Sequence, residues 1–169
     1  MAYDAAAAGA GGAGDLPPIL TLITGSGPMK QAFEDRVAAT PLTHVTVRTA
    51  WLEADEYPRA IAAADLGMCF HTSASGLDLP MKIADMFGAG IPVCAFDYGP
   101  CLQEIVHPGV NGVLFSTADE CCAQIALLLG GFNGSTAALH ALTRGVDQSG
   151  RPTWSEAWTS DVRAALLAS

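Results

Sequence analysis

Residues 71–85, His-Thr-Ser-Ala-Ser-Gly-Leu-Asp-Leu-Pro-Met-Lys-Ile-Ala-Asp, gather an imidazole, hydroxyls, two carboxylates and an ammonium into one short stretch. Asp78, Lys82 and Asp85 recur at spacings of four and three, which on a helix places them on one face. Such a face can give a carboxylate to ribose hydroxyls, while Lys82 and the preceding loop of Thr72, Ser73, Ser75 and Gly76 meet a diphosphate. A plainer reading has Asp78 capping the helix and forming a solvated pair with Lys82, worth only about 0.3 kcal/mol. His71 closes an apolar run, where it either donates a hydrogen bond to a sugar or phosphate or serves the structure alone. No Ser/His/Asp triad follows from the order of residues, and no catalytic residue is assigned.

A second candidate is Gly25-Ser26-Gly27-Pro28, where glycines let backbone N–H groups approach a nucleotide ahead of a helix N-terminus. The turn lacks the third glycine of a dinucleotide fingerprint and the lysine of a phosphate-binding loop, which disfavours a NAD-type site. By itself it also reads as an ordinary strand-to-helix turn. Trp51 follows another β-branched run and either stacks on a purine or packs the core.

Positioning these residues requires a sheet. Short β-branched runs at 19–24, 44–49, 66–71, 91–96 and 112–115 alternate with helical patterns at 29–39, 57–64 and 78–88 and a helical turn at 101–106. That alternation predicts the α/β class: a Rossmann-like parallel sheet flanked by helices. In such a sheet the loops beyond the strands' carboxyl ends, at 25–28, 49–52, 71–78 and 96–101, share one rim. Pro80 is expected in the first turn of its helix and Gly88 at the end. Thr117 with Glu120, and Thr153 with Glu156, form capping-box patterns that predict two more helices. One domain is expected over 16–169, with an irregular connection at 130–152 containing a helix near 137–144 and a closing helix at 154–168. The Ala/Gly-biased span 1–15 is expected to be disordered or a weak helix.

Composition narrows the function. Seventeen acidic against eight basic residues give a formal charge of −9, with the cations scattered, which argues against nucleic acid and against an anionic membrane surface. The five cysteines show no CxxC or metal-ligand spacing, so neither a disulfide framework nor a metal site is expected, and Cys69 and Cys94 read as buried core. No signal peptide or membrane-spanning run is visible.

The segments Ile-Thr-Gly-Ser-Gly-Pro at 23–28, Trp-Leu-Glu-Ala-Asp-Glu-Tyr-Pro at 51–58, the 64–73 run ending His-Thr-Ser, Ser-Gly-Leu-Asp-Leu-Pro-Met-Lys at 75–82, Asp-Met-Phe-Gly at 85–88 and Pro-Val-Cys-Ala at 92–95 keep the order of a known family. Together they resemble the C-terminal domain of chitobiosyl-diphospho-dolichol β-mannosyltransferases, over about 16–129, and Trp-Ser-Glu-Ala-Trp at 154–158 resembles that family's closing helix. The resemblance implies half of a GT-B glycosyltransferase, with GDP-mannose as donor, lipid-linked chitobiose as acceptor, and the cytosolic face of the endoplasmic reticulum membrane as location. It implies no metal and no cofactor beyond the donor substrate, and other glycosyltransferases of the same pathway as partners. Asp85 falls where related enzymes carry a ribose-binding glutamate; Lys82 and 72–76 fall near the diphosphate, and Gly25 to Gly27 line the nucleotide side. Leu77 stands eight residues before Asp85, so the paired glutamates of retaining relatives are absent, in agreement with inversion. The family's acceptor-binding half, its membrane anchor and the first, central strand of this domain lie upstream of what begins here, leaving neighbouring strands unpaired. The chain alone is therefore expected to be incomplete as a catalyst, because the base that takes the acceptor's proton falls in the other half. The alternative is a noncatalytic interaction module that has kept the fold.

Overall fold

The computed structural model describes residues 4, 16–131, 136–147, 150 and 152–167. Five strands and their crossover helices follow in alternation: β1 (Ile19–Thr24), α1 (Lys30–Ala38), β2 (Val45–Ala50), α2 (Tyr57–Ala62), β3 (Gly67–Cys69), α3 (Met81–Gly88) and β4 (Val93–Phe96). A 3₁₀ turn (Pro100–Glu104), β5 (Gly112–Phe115), α4 (Ala118–Leu129) and α5 (Ala137–Asp147) come next. The chain then closes with α6 (Trp154–Ala157), a π-helical turn (Trp158–Val162) and α7 (Arg163–Leu167).

Every strand pairing is parallel, as a βαβ chain requires. The strands form two sheets, β1–β2 and β3–β4–β5. Among the described residues no strand pairs with the second edge of β1 or of β3. β3 is shorter than the 66–71 run predicts, because its ladder ends at Cys69 opposite Ala95 and the chain then turns to bring His71 to Asp78. α5 is a full helix of eleven residues within the span read as mostly irregular.

The three-stranded sheet is covered on both faces, and the period of two sorts its side chains. Cys69, Val93 and Ala95 pack with Ile83 and Phe87 of α3 and with Leu102, Val106 and Val146. Cys94 and Phe115, with Met68 and Phe96, pack against Cys121 and Ile125 of α4. Fully burying a side chain such as Ile83 or Leu102 contributes about 1.5–3 kcal/mol, and this core fixes the start of α3 relative to the ends of β3 and β4. The expected core positions Cys69 and Cys94 are indeed buried. Burial, and next the neighbouring Cys121, push the Cys94 thiol up to about 12.

The other sheet is barer. Leu20, Leu22 and Ile23 of β1 are exposed, unlike the strands of a parallel sheet covered on both faces. Asp4 ties a point far upstream to this sheet, its carboxylate accepting from the amides of Thr43, His44 and Val45 at 2.9, 2.6 and 3.2 Å. Asp4 is helical and buried, although it falls in the span read as having little to pack; the remainder of 1–15 lies outside the described residues.

Candidate functional site

The side chains that converge are those of the 71–78 loop, where the end of β3 is carried towards α3. Asp78 is their centre. One carboxylate oxygen faces His71 Nε2 at 2.6 Å, and the other accepts from the hydroxyls of Ser73 and, at 3.5 Å, Ser75. Ser73 Oγ in turn accepts the Gly76 amide at 2.6 Å, and Ser75 Oγ accepts the Leu77 amide at 3.2 Å. The loop can close this tightly because Gly76 adopts a φ of 72°, in the left-handed region that a side chain disfavours. Its second support comes from the loop after β4. Tyr98 OH donates to the Asp78 carbonyl at 2.6 Å, the Cys101 thiol reaches the same oxygen at 3.6 Å, and the Tyr98 ring meets His71 edge to face at 5.4 Å.

These bonds set the local electrostatics. The Ser73 hydroxyl first, and then His71, hold the Asp78 carboxyl below its ordinary value, against a smaller opposing effect of burial. Tyr98 is pushed up to about 12, chiefly by withdrawal from water and then by Cys101, so its phenol remains a neutral donor.

The geometry corrects the expected charged helical face. α3 begins at Met81 with Pro80 as its N-cap, so Asp78 lies outside the helix and shares no face with Lys82 and Asp85. Proline disfavours helical backbone in the residue before it, here Leu79, and the Asp78 carboxylate is drawn back to His71 and Ser73. Neither the cap nor the solvated pair with Lys82 forms. Lys82 is exposed on α3, whereas Asp85, one turn further, receives Tyr57 OH at 3.5 Å. Burial first, and Asp85 second, raise the Tyr57 phenol.

The remaining candidates lie apart from this cluster. Thr72 is exposed, Gly25 donates its amide to the Ala50 carbonyl at 3.0 Å, and Ser26, Gly27 and Trp51 are exposed. The structure therefore joins the loops after β1 and β2 to each other, and those after β3 and β4 to each other. Among the described residues, no hydrogen bond or ion pair joins Gly25, Ser26, Gly27 or Trp51 to the His71–Asp78 cluster. Trp51 is 64% exposed, which removes the core reading and leaves its ring free for stacking. Neither of two open hollows contains the cluster: one lies between Phe33 and Val37 of α1 and Val47 of β2, the other between Phe70, Phe96, Phe115 and Cys121. The residues that sequence reasoning missed are Tyr57, Tyr98 and Cys101. Tyr98 does lie in a loop that the strand order assigns to the rim, but no spacing singles it out.

The chemistry on offer is a set of hydroxyls and amides around a carboxylate-held imidazole, with an ammonium at the start of the next helix. Among the described residues, no three His, Cys, Asp or Glu side chains are placed to hold a metal ion. The parallel α/β scaffold that carries this arrangement is that of the group 1 glycosyl transferases: residues 15–130 match that family, and the chain belongs to it. More particularly, the chain is 41% identical over 151 residues to the mouse chitobiosyldiphosphodolichol beta-mannosyltransferase, covering 89% of this chain and 31% of that protein. It is 39% identical over 153 residues to the human enzyme of that name, covering 90% and 33%, so the resemblance to that family holds. It is also 47% identical over 143 residues to the UDP-glycosyltransferase TURAN of Arabidopsis thaliana, covering 84% and 30%. The chain thus spans about a third of the length of these relatives, 30–33%. The crystal structure of Anabaena HepE in complex with UDP and glucose superimposes with a TM-score of 0.58 at 18% identity, covering 91% of this chain and 49% of that one, which shows the shared fold.

Proposed function

We propose that this chain is the donor-binding part of a β-mannosyltransferase, holding GDP-mannose for transfer of mannose to chitobiosyl-diphospho-dolichol in the assembly of the N-glycan precursor. The observation that carries the reading is the 71–78 loop. Its hydroxyls and amides are gathered by Asp78 and held by Tyr98, beyond the carboxyl ends of β3 and β4, where open parallel sheets bind ligands. The names of the mouse and human relatives supply the donor sugar and the acceptor. In this reading the loop and Lys82 meet the diphosphate, Asp85 meets the ribose, and Gly25, Gly27 and Trp51 line the nucleotide side. The acceptor and the base for its proton belong to an acceptor-binding part beyond the span that the chain covers. The site of action is the cytosolic face of the endoplasmic reticulum membrane; no helix among the described residues is long and apolar enough to cross it.

Calorimetric titration of the folded chain tests this directly. GDP-mannose is expected to bind with heat that mannose alone does not give, and equal heats from the two would overturn the reading. Lys82→Ala is expected to weaken GDP more than guanosine, and UDP-glucose as competitor reports the preference for guanine over uracil.

A second reading, a noncatalytic interaction module, is favoured by the edges of β1 and β3 that no strand pairs among the described residues, and by exposed Leu20, Leu22 and Phe70. Solution mass separates the two. A monomer that binds GDP-mannose supports the first reading, and an obligate oligomer indifferent to nucleotide supports the second.

A further inference from the structure

Two exposed apolar surfaces of this chain differ in kind. On β1 and β2 successive side chains point to opposite faces. Val47 lines the hollow beside α1 and Thr49 donates to Glu34 of α1, so α1 lies on that face. Leu20 and Leu22 lie on the other, together with Arg48, which stands directly across from Leu22 in the parallel register. Leu20 is 69% exposed, and neither core cluster contains a residue of β1 or β2. Parallel strands are ordinarily covered on both faces, and among the described residues this face is left bare.

The other surface is a helix in want of a face. Among the described side chains of 154–167, only Ala157 is even partly buried. Trp154, Trp158 and Val162 recur every four residues, and the two indole rings lie 6.0 Å apart. A spacing of four outruns an α-helical turn by about 40°. The π-helical turn at Trp158–Val162 is wider and brings Val162 back towards the line of Trp158.

The two surfaces agree in size and in charge. The closing helix is about 21 Å long and about 10 Å across. Two strands of six residues present a face about 20 Å by about 10 Å. Arg48 is the single charged residue of β1 and β2. On the helix, Glu156 is held in the cap by Thr153, and Arg163 lies about 100° round from Val162. Asp161 stands three residues after Trp158, beside the stripe. Among the described residues no hydrogen bond or ion pair takes up the side chain of Arg48 or of Asp161.

We propose that two copies of this chain pair reciprocally, the Trp154–Trp158–Val162 stripe of each lying along the bare β1–β2 face of the other, with Asp161 meeting Arg48 of the partner subunit. The two contacts together cover roughly 800 Å², below the range of stable interfaces, so the dimer forms and dissociates reversibly. The pairing uses no residue of the 71–78 loop and stands apart from donor binding, which is compared in the monomer obtained by dilution.

Sedimentation of the full chain from low to several hundred micromolar tests the pairing, and a mass rising from monomer to dimer is expected. Trp158→Ala and Leu22→Ser change exposed side chains, and circular dichroism confirms that each variant is folded. Each is expected to weaken the dimer about tenfold or more. A mixture of the two variants should regain dimer, because the intact helix of one meets the intact face of the other. Arg48→Glu is expected to weaken the dimer several-fold and Asp161→Arg in the same chain to restore it. A dimer that survives either Trp158→Ala or Leu22→Ser would overturn the inference, since it would pair helix with helix or face with face. A chain that stays monomeric throughout would also overturn it. In that case a tryptophan fluorescence shift with phosphatidylcholine vesicles would give the stripe to a lipid surface instead.

Discussion

Asp78 decides the site at the scale of single residues, and its bonds are reciprocal. Ser73 both donates to the carboxylate and accepts the Gly76 amide, so one hydroxyl couples the charge to the loop's shape. Ser73→Ala is therefore expected to let the Asp78 carboxyl move up towards the ordinary 3.8, read by carbon NMR of its side chain; an unmoved titration would show that Ser73 is not the main cause. The sign of the pH effect follows. Because the folded carboxyl lies below 3.8, its contribution to the loop is complete above that value and is lost as pH falls through the folded value. Exchange of the Gly76 amide should accordingly quicken only in acid below that range. Sequence made the residue types here legible but not their geometry. A spacing of four suggested that Asp78 and Lys82 were partners, whereas the partners of Asp78 lie three to seven residues behind it in a loop, where no periodicity reports them.

At the scale of elements, caps and close approaches explain where each segment begins and how near it sits. Thr153 and Glu156 form the full capping box that their spacing predicts. At α4, Thr117 accepts from the Glu120 amide, but Glu120 reaches back to the Ser116 amide, one residue beyond the expected return bond. Pro80 as an N-cap, with its extended ψ of 112°, shifted the start of α3 past the carboxylate that the sequence had placed on it. Strand boundaries were legible where β-branched runs were long, as at 19–24, and not in β3, whose three-residue ladder ends at Cys69 opposite Ala95 while β4 runs on to Phe96. Gly145 shows a constraint that composition hides. A Cβ there would lie 1.8 Å from the Val110 carbonyl oxygen, so α5 can pack on the loop before β5 only without a side chain. Gly145→Ala is expected to destabilise the fold by about 1–3 kcal/mol in denaturant unfolding. Gly88→Ala, whose Cβ would meet nothing within 4 Å, should be neutral or slightly stabilising. Asp4→Ala should speed amide exchange at Thr43, His44 and Val45, since its carboxylate is the acceptor of all three.

At the scale of the whole molecule, the fold class was legible because alternation of strand and helix is a global pattern that survives local errors. The division into two sheets was not legible, since a β-branched run does not report which strand it pairs with. The consequence is unequal burial, with both faces of β3–β4–β5 covered and Leu20 and Leu22 of β1 left in solvent. Native-state exchange should therefore find β4 amides far slower than β1 amides; equal protection would contradict the division. A formal charge of −9 sets a further expectation, that the chain shows no salt-dependent binding to duplex DNA. The central claim, that the loop gathered by Asp78 receives a nucleotide sugar, is tested most directly by backbone amide NMR during a GDP-mannose titration. The account expects the largest shifts at Ser73, Ser75, Gly76 and Tyr98, with smaller ones at Gly25 and Gly27. Saturable shifts confined to other surfaces, with the 71–78 amides unmoved, would contradict it.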